Sequence, residues 1–308
     1  KGIMKKAVFL VAAGITALAL SGCSAGGGKR IVRISHAQSE THPEHLGLLA
    51  FKECVEERLG DKYEVQIFPN ELLGSAQKAI ELTQTGAIDF VVAGTANLET
   101  FASVYEIFSM PYLFDSEEVY KSVMEDSDYM EKVYESTDEA GFRVVTWYNA
   151  GTRNFYGKKP INTPDDLKGM KIRVQQSDIA IKMVETLGAA ATPMSYNEVY
   201  QGLQTGVIDG AENDFVSYYT SGHYEVAKYF AMDGHMAPPA MLIMAKNVWD
   251  QMSENQQNAI QEAAKEAREW QRQAMQDYQE ESRKAVEEKG CEVIDVDVKE
   301  FQDAVAPM

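Results

Sequence analysis

The chain has 308 residues, 45% of them apolar and 25% charged, a balance that fits a folded globular protein and leaves little room for disorder. Its 47 acidic residues outnumber 29 lysines and arginines, for a formal net charge of −18, which argues against nucleic acid as a partner because a phosphate backbone calls for a basic face. Three cysteines are too few to staple a fold of this size.

Near the N-terminus Lys5 and Lys6 follow Met4, and the apolar run AVFLVAAGITALAL leads into LSGC. The run is shorter than the ~20 residues that span a bilayer, so an export signal over residues 1–23 is expected rather than a lasting transmembrane helix. LSGC resembles the bacterial lipoprotein box, which implies lipidation at Cys23 and places the mature protein outside the cytoplasm, held to the membrane only by that anchor. Residues 24–30 would then form a flexible tether. The helical pattern HLGLLAFKECVEERL carries Cys54, and Cys291 precedes the strand-like CEVIDV, so two buried, unpaired thiols are expected.

Strand-like runs recur at RIVRISH, YEVQIF, IDFVVAG, FRVVTWY, MKIRVQ, AMLIMA and CEVIDV, with helical patterns between them. Such alternation predicts parallel sheets covered by helices, an α/β architecture. One phrase is said twice: QTGAIDF at 84–90 and QTGVIDGAEN at 204–213. Each follows a helix-like run, each glycine suits a left-handed helix stop, and a strand begins after each. The echo points to two lobes on one plan. Gly151–Gly157 and MDGHMAPPAM are natural crossing points, giving discontinuous lobes: lobe I over 31–150 and 239–278, lobe II over 151–238 and 279–308. A last long helix is expected from Ser253, its N-cap, with Gln256 three residues on, to Glu288, with Gly290 beyond. It would span ~50 Å at 1.5 Å per residue and lay a stripe of Ile260, Ala263, Ala264, Ala267, Trp270, Ala274 and Tyr278 against both lobes.

Catalytic motifs are missing from the sequence: it has no Gly-x-Ser-x-Gly, no His-Glu-x-x-His and no phosphate-cradling glycine loop, so no enzyme and no cofactor are expected. His36, His42 and His45 fit no common zinc spacing and read as capping or surface groups. More informative are Arg153 in YNAGTRNFYG and Arg173 in GMKIRVQQ, two arginines in apolar surroundings. Arg153 falls beyond the carboxyl end of a strand, where open α/β sheets bind ligands. A guanidinium there can grip a carboxylate through two parallel hydrogen bonds, or serve in a structural ion pair.

The stretch MKIRVQQSDIAIKMVETLGAAATPMSYNEVYQGLQTGVIDGAEN resembles the substrate-binding proteins of tripartite ATP-independent periplasmic (TRAP) transporters, the dicarboxylate-binding family. The resemblance extends from RISHAQSETHPEH through MPYLF and INTPDDLKGMKIRV to the final strand, nearly all of the mature chain. It implies a two-lobed periplasmic-binding-protein fold that closes over a small organic acid and hands it to TRAP permease subunits in the membrane. Arg173 matches the family's carboxylate-binding arginine, Arg153 the second basic residue, Asn213 a side chain that fixes the acid, and Tyr196 the aromatic residue of the cleft. From the first lobe His36, Gln77 and Asn97 are candidates to face the ligand, and Phe215 offers an aromatic face. Gln175 and Asp214 stand where the family commonly has proline, and FQDAVAPM ends earlier than its members usually do, which suggests a truncated C-terminus. The run GAEN…SYY..GHYEVAKYF is similar to members that take hexuronates such as glucuronate or galacturonate; a C4-dicarboxylate or other small carboxylate is the alternative. An extracytoplasmic enzyme on the same scaffold and a structural lipoprotein are readings from other classes.

Overall fold

The computed structural model describes residues 28–308; the export signal, Cys23 and most of the expected tether lie outside them. Strands β1 (Arg30–Ser35), β2 (Tyr63–Phe68), β3 (Phe90–Gly94), β4 (Phe142–Tyr148) and β10 (Ala240–Ala245) form one sheet in the order β2-β1-β3-β10-β4. Strands β5 (Asn154–Gly157), β6 (Lys171–Val174), β7 (Ala190–Pro193), β8 (Gly210–Asn213), β9 (Tyr229–Ala231) and β11 (Glu292–Ile294) form a second, ordered β11-β9-β5-β8-β6-β7. The chain therefore leaves the first sheet after β4, returns with β10, and leaves again for β11. Two α/β lobes result, each discontinuous in sequence.

Neither sheet is wholly parallel, which corrects the sequence expectation. The first strand laid down after each of the first two crossings runs against its neighbours: β5 is antiparallel to β8 and β9, and β10 to β3 and β4, whereas β11, after the third, lies parallel to β9. In the first sheet adjacent residues of one strand are buried on opposite sides, Phe90 and Val92 in one apolar cluster and Val91 and Ala93 in the other. Helices thus cover both faces, which is why these strands read as unbroken apolar runs.

The repeated phrase has a structural cause. Helices α2 (Ala76–Thr85) and α3 (Val199–Thr205) end on Gly86 (φ 79°) and Gly206 (φ 80°), both left-handed. The threonine hydroxyls bond back into their helices, Thr85 to Leu82 O at 3.0 Å and Thr205 to Gln201 O at 2.8 Å. Ile88 and Ile208 are buried. Each aspartate then accepts a backbone N–H from the neighbouring strand of its sheet: Asp89 from Arg33 at 2.8 Å, and Asp209 from Lys171 at 2.9 Å. One joint is built twice, once per lobe.

Helix α5 (Glu254–Glu288, 35 residues) starts on Ser253 with the full capping box through Gln256, as the sequence expects. Its first half buries Ile260, Ala263, Ala264 and Ala267 against α1 (Pro43–Leu59), in one cluster with Leu48, Phe51 and Val55. Beyond Ala267 the buried stripe is not the expected one. Gln271, Met275, Ser282 and Val286 face inward, while Trp270, Ala274 and Tyr278 are half-buried. The polar Gln271 is needed there because it satisfies the backbone where the chain leaves β4: Oε1 accepts from Asn149 N at 2.9 Å and Nε2 donates to Asn149 O at 2.8 Å. Val286 packs into the second lobe with Phe215 and Phe230, so one helix braces both lobes. Cys54 and Cys291 are buried and unpaired. None of the described helices is long and apolar enough to cross a membrane.

Candidate functional site

A cleft opens between the lobes at the strand ends. From the first lobe it is lined by Gln38, Glu44, Glu71, Gln77 and Asn97, and from the second by Arg153, Arg173, Gln175, Tyr196, Asn213, Asp214 and Ser217. The lobes touch across it. Gln38 Nε2 donates to Ser217 Oγ at 3.3 Å. His42 Nδ1 accepts from Glu44 N at 3.0 Å, which leaves its proton on Nε2 for Ser217 Oγ at 3.1 Å. Glu71, held at a left-handed φ of 56°, reaches over so that its two carboxylate oxygens accept from Tyr196 N (3.2 Å) and Asn197 N (3.3 Å).

The two arginines differ in what they touch. Arg153 Nε lies 2.6 Å from Glu212 Oε2, and its Nη2 donates to Glu212 Oε1 at 2.7 Å and to the Glu212 carbonyl at 2.8 Å. This fork is almost wholly buried. Glu212 in turn accepts from His235 Nε2 at 3.0 Å, whose Nδ1 lies 2.6 Å from Asp233 Oδ2. Charges alternate along this buried line. Burial pushes the Glu212 carboxyl up, but Arg153 and His235 outweigh it and hold it at about 2. Burial lowers His235, but Asp233 and Glu212 raise it to about 9, so the imidazole is charged at neutral pH.

Arg173 is just as deeply placed, at the end of β6 and 4% exposed. Its Nε donates to Met194 O at 3.0 Å, and its guanidinium carbon lies 5.6 Å from the centre of the Tyr196 ring. Among the described residues no carboxylate lies within ion-pair distance of it. Burial, and then the Arg153 charge, depress its pKa, the behaviour of a cation short of an anion. Asn213 ends β8 beside it in the cleft; its Oδ1 accepts from Asp214 N at 2.9 Å. Asp214 caps helix α4 (Phe215–Thr220) by accepting from Val216 N and Ser217 N at 2.9 and 3.1 Å. A proline at 214 could not make that cap.

Of the residues singled out in the sequence, the cleft brings together Arg153, Arg173, Tyr196, Asn213, Gln77 and Asn97. Two are placed elsewhere. Phe215 stacks on Phe230 with ring centres 4.1 Å apart and belongs to the second lobe's core. His36 has both ring nitrogens engaged, with Nδ1 accepting from Gln38 N at 3.1 Å and Nε2 donating to His45 Nδ1 at 2.9 Å. His36, His42 and His45 are buried rather than surface groups. Burial first, then neighbouring histidine charge, drop His36 and His42 to about 3. No group of three or more metal-ligating side chains occurs among the described residues. Glu44, Glu71 and Gln38 are cleft residues that sequence reasoning missed. For Glu44, at the second position of α1 behind the His42 cap, an acidic residue reads as ordinary helix-dipole complement, which hides it.

A family model, bacterial extracellular solute-binding protein, family 7, matches residues 34–308. Among solved structures, a TRAP periplasmic solute-binding protein from Anaerococcus prevotii with bound D-glucuronate is 48% identical, with a TM-score of 0.89 over 91% of each chain. One from a Sulfitobacter species with bound β-D-galacturonate is 34% identical, with a TM-score of 0.87 over 90% of this chain and 93% of its own. By sequence, the 2,3-diketo-L-gulonate-binding periplasmic protein of Escherichia coli K12 is 30% identical over 96% of this chain and 89% of its own.

Proposed function

Because this chain belongs to the bacterial extracellular solute-binding proteins of family 7, the ligand-capturing components of TRAP transporters, we propose that it captures a hexuronate, D-glucuronate or D-galacturonate, outside the cytoplasm and delivers it to a TRAP permease. The observation that carries this reading is Arg173, a buried guanidinium lining the cleft with no anion of its own. The ligand's carboxylate supplies that anion through two parallel hydrogen bonds. Asn213 adds a donor beside it, the Tyr196 ring packs under the guanidinium, and Arg153, held by Glu212, contributes positive potential. Gln77 and Asn97 meet the ligand from the other lobe.

Charge counting favours a monoacid over a C4-dicarboxylate. Arg153 is matched by Glu212, which leaves one uncompensated cation, whereas a second carboxylate would be buried beside Asp214 and Glu71. The ligand leaves unchanged, so the protein is a binding component and not an enzyme. Lobe I comprises 31–150 and 239–278, lobe II comprises 151–238 and 279–308, and a lipid on Cys23 holds the pair near the permease. Thermal melting against a panel of acids and sugars tests the reading: hexuronates at 100 times their Kd should add about 2.7 kcal/mol to native stability. A panel in which no carboxylate raises the melting temperature would refute it.

A further inference from the structure

We infer that Glu44, aided by Gln38 and Gln77, forms a hydroxyl-reading wall on the first lobe that selects polyhydroxylated monoacids. The inference rests on the sugar-acid reading above and names the residues that impose it. Glu44 lines the cleft and is 7% exposed, yet no described residue hydrogen-bonds its carboxyl group. Its role at the start of α1 does not need that group, because the His42 ring takes the Glu44 backbone N–H. A carboxyl left in this condition is costly unless something enters the cleft to meet it. Burial, with the nearby Asp214 charge, raises its pKa to about 8, so it presents both a hydroxyl donor and a carbonyl acceptor at neutral pH.

The two glutamines repeat the pattern. Gln38 spends its Nε2 on Ser217 Oγ and Gln77 its Nε2 on Thr100 Oγ1 (3.1 Å), and in both the Oε1 is buried without a partner. The cleft is therefore divided by chemistry: donors in the second lobe, at Arg173 and Asn213, face unspent acceptors in the first. A ligand that satisfies both walls carries a carboxylate at one end and O–H groups at the other. An acid without hydroxyls would leave the first-lobe acceptors dry and unpaired, and sites built to hydrogen-bond a hydroxyl reject such analogues strongly.

The test is calorimetric titration of wild-type protein, Glu44→Met and Gln77→Met with D-glucuronate and with its 2-, 3- and 4-deoxy derivatives, alongside melting curves without ligand. Each substitution should weaken glucuronate about 10- to 100-fold. For each variant one deoxy derivative should bind no more weakly than it binds wild type, since the lost partner and the lost hydroxyl form one interaction. Glu44→Met should melt no lower than wild type, because no described residue hydrogen-bonds the carboxyl group that it removes. Binding of glucuronate by both variants within about twofold of wild type would overturn the inference while leaving the sugar-acid reading intact. So would an equal loss across every deoxy derivative. Failure of wild-type protein to bind glucuronate at all would overturn both.

Discussion

Arg153 and Arg173 share a side chain, a cleft and a depth of burial, but only one of them is spent. Arg153→Ala strips Glu212 of its partner, and breaking a buried pair of this kind costs about 3–5 kcal/mol, so the unliganded protein should melt markedly lower. Arg173→Ala removes a cation that has no anion and should melt close to wild type, yet lose about 30-fold to several-thousand-fold in hexuronate affinity. Arg173→Lys should also bind poorly, since an ammonium cannot reproduce the planar fork. A well-folded Arg173→Ala protein with near-native affinity would remove this residue from the site. Titration adds an independent check. The Glu44 carboxyl has a reference pKa of 4.5 and keeps its proton to about 8 when folded, and His235 moves from 6.5 to about 9. The folded state thus holds extra protons that the unfolded chain has released, and stability falls as pH rises through these windows, at most about 1.4 kcal/mol per pH unit for each group. From pH 7 to 8 both act in the same direction, as does Glu99, which burial raises to about 7, so Glu44→Gln should make the decline in melting temperature shallower without abolishing it. An unchanged slope would mean that Glu44 does not hold its proton. The arginines were legible in the sequence as isolated cations in apolar stretches, but their difference was not, because Glu212 meets Arg153 only through the pairing of β5 with β8.

The repeated helix-to-strand joint shows what the sequence could reveal of elements. Thr-Gly-x-Ile-Asp exposes both copies because every residue except the variable one has a local duty, in capping, burial or closing the next strand, whereas the preceding glutamine has no shared duty: Gln84 donates to Ala140 O at 2.7 Å and Gln204 is exposed. By contrast β5, β7 and β9 (NFYG, AATP and YFA) lack the valine and isoleucine that announce the equally short β6 and β11 (KIRV and EVI), and the second half of α5 follows the needs of Asn149 rather than apolar spacing. The glycines of the two joints give a prediction. A Cβ at Gly206 would meet nothing within 4 Å, so Gly206→Ala should cost only the left-handed backbone penalty, about 1–2 kcal/mol. A Cβ at Gly86 would sit 2.7 Å from Asn247 Nδ2, so Gly86→Ala should cost more. Denaturant midpoints of the two variants settle the order, and a smaller loss for Gly86→Ala contradicts this account of the joints.

Across the whole molecule, two mixed sheets meet at a cleft whose walls carry opposite chemistry, while α5 runs behind both lobes and Gln271 fastens it to the first crossing. Such an arrangement can enclose a small ligand, and its overall acidity is no obstacle because exposed charges beyond about 8 Å are screened at physiological salt. Local cations decide what enters. The most direct measurement is calorimetric titration of wild-type protein with D-glucuronate, D-galacturonate, D-glucose and succinate under one buffer. Saturable one-to-one binding of at least one hexuronate is expected, with glucose failing for want of a carboxylate and succinate failing for want of hydroxyls and for its second charge. Absence of heat with both hexuronates, or succinate binding as tightly as either, would contradict the account.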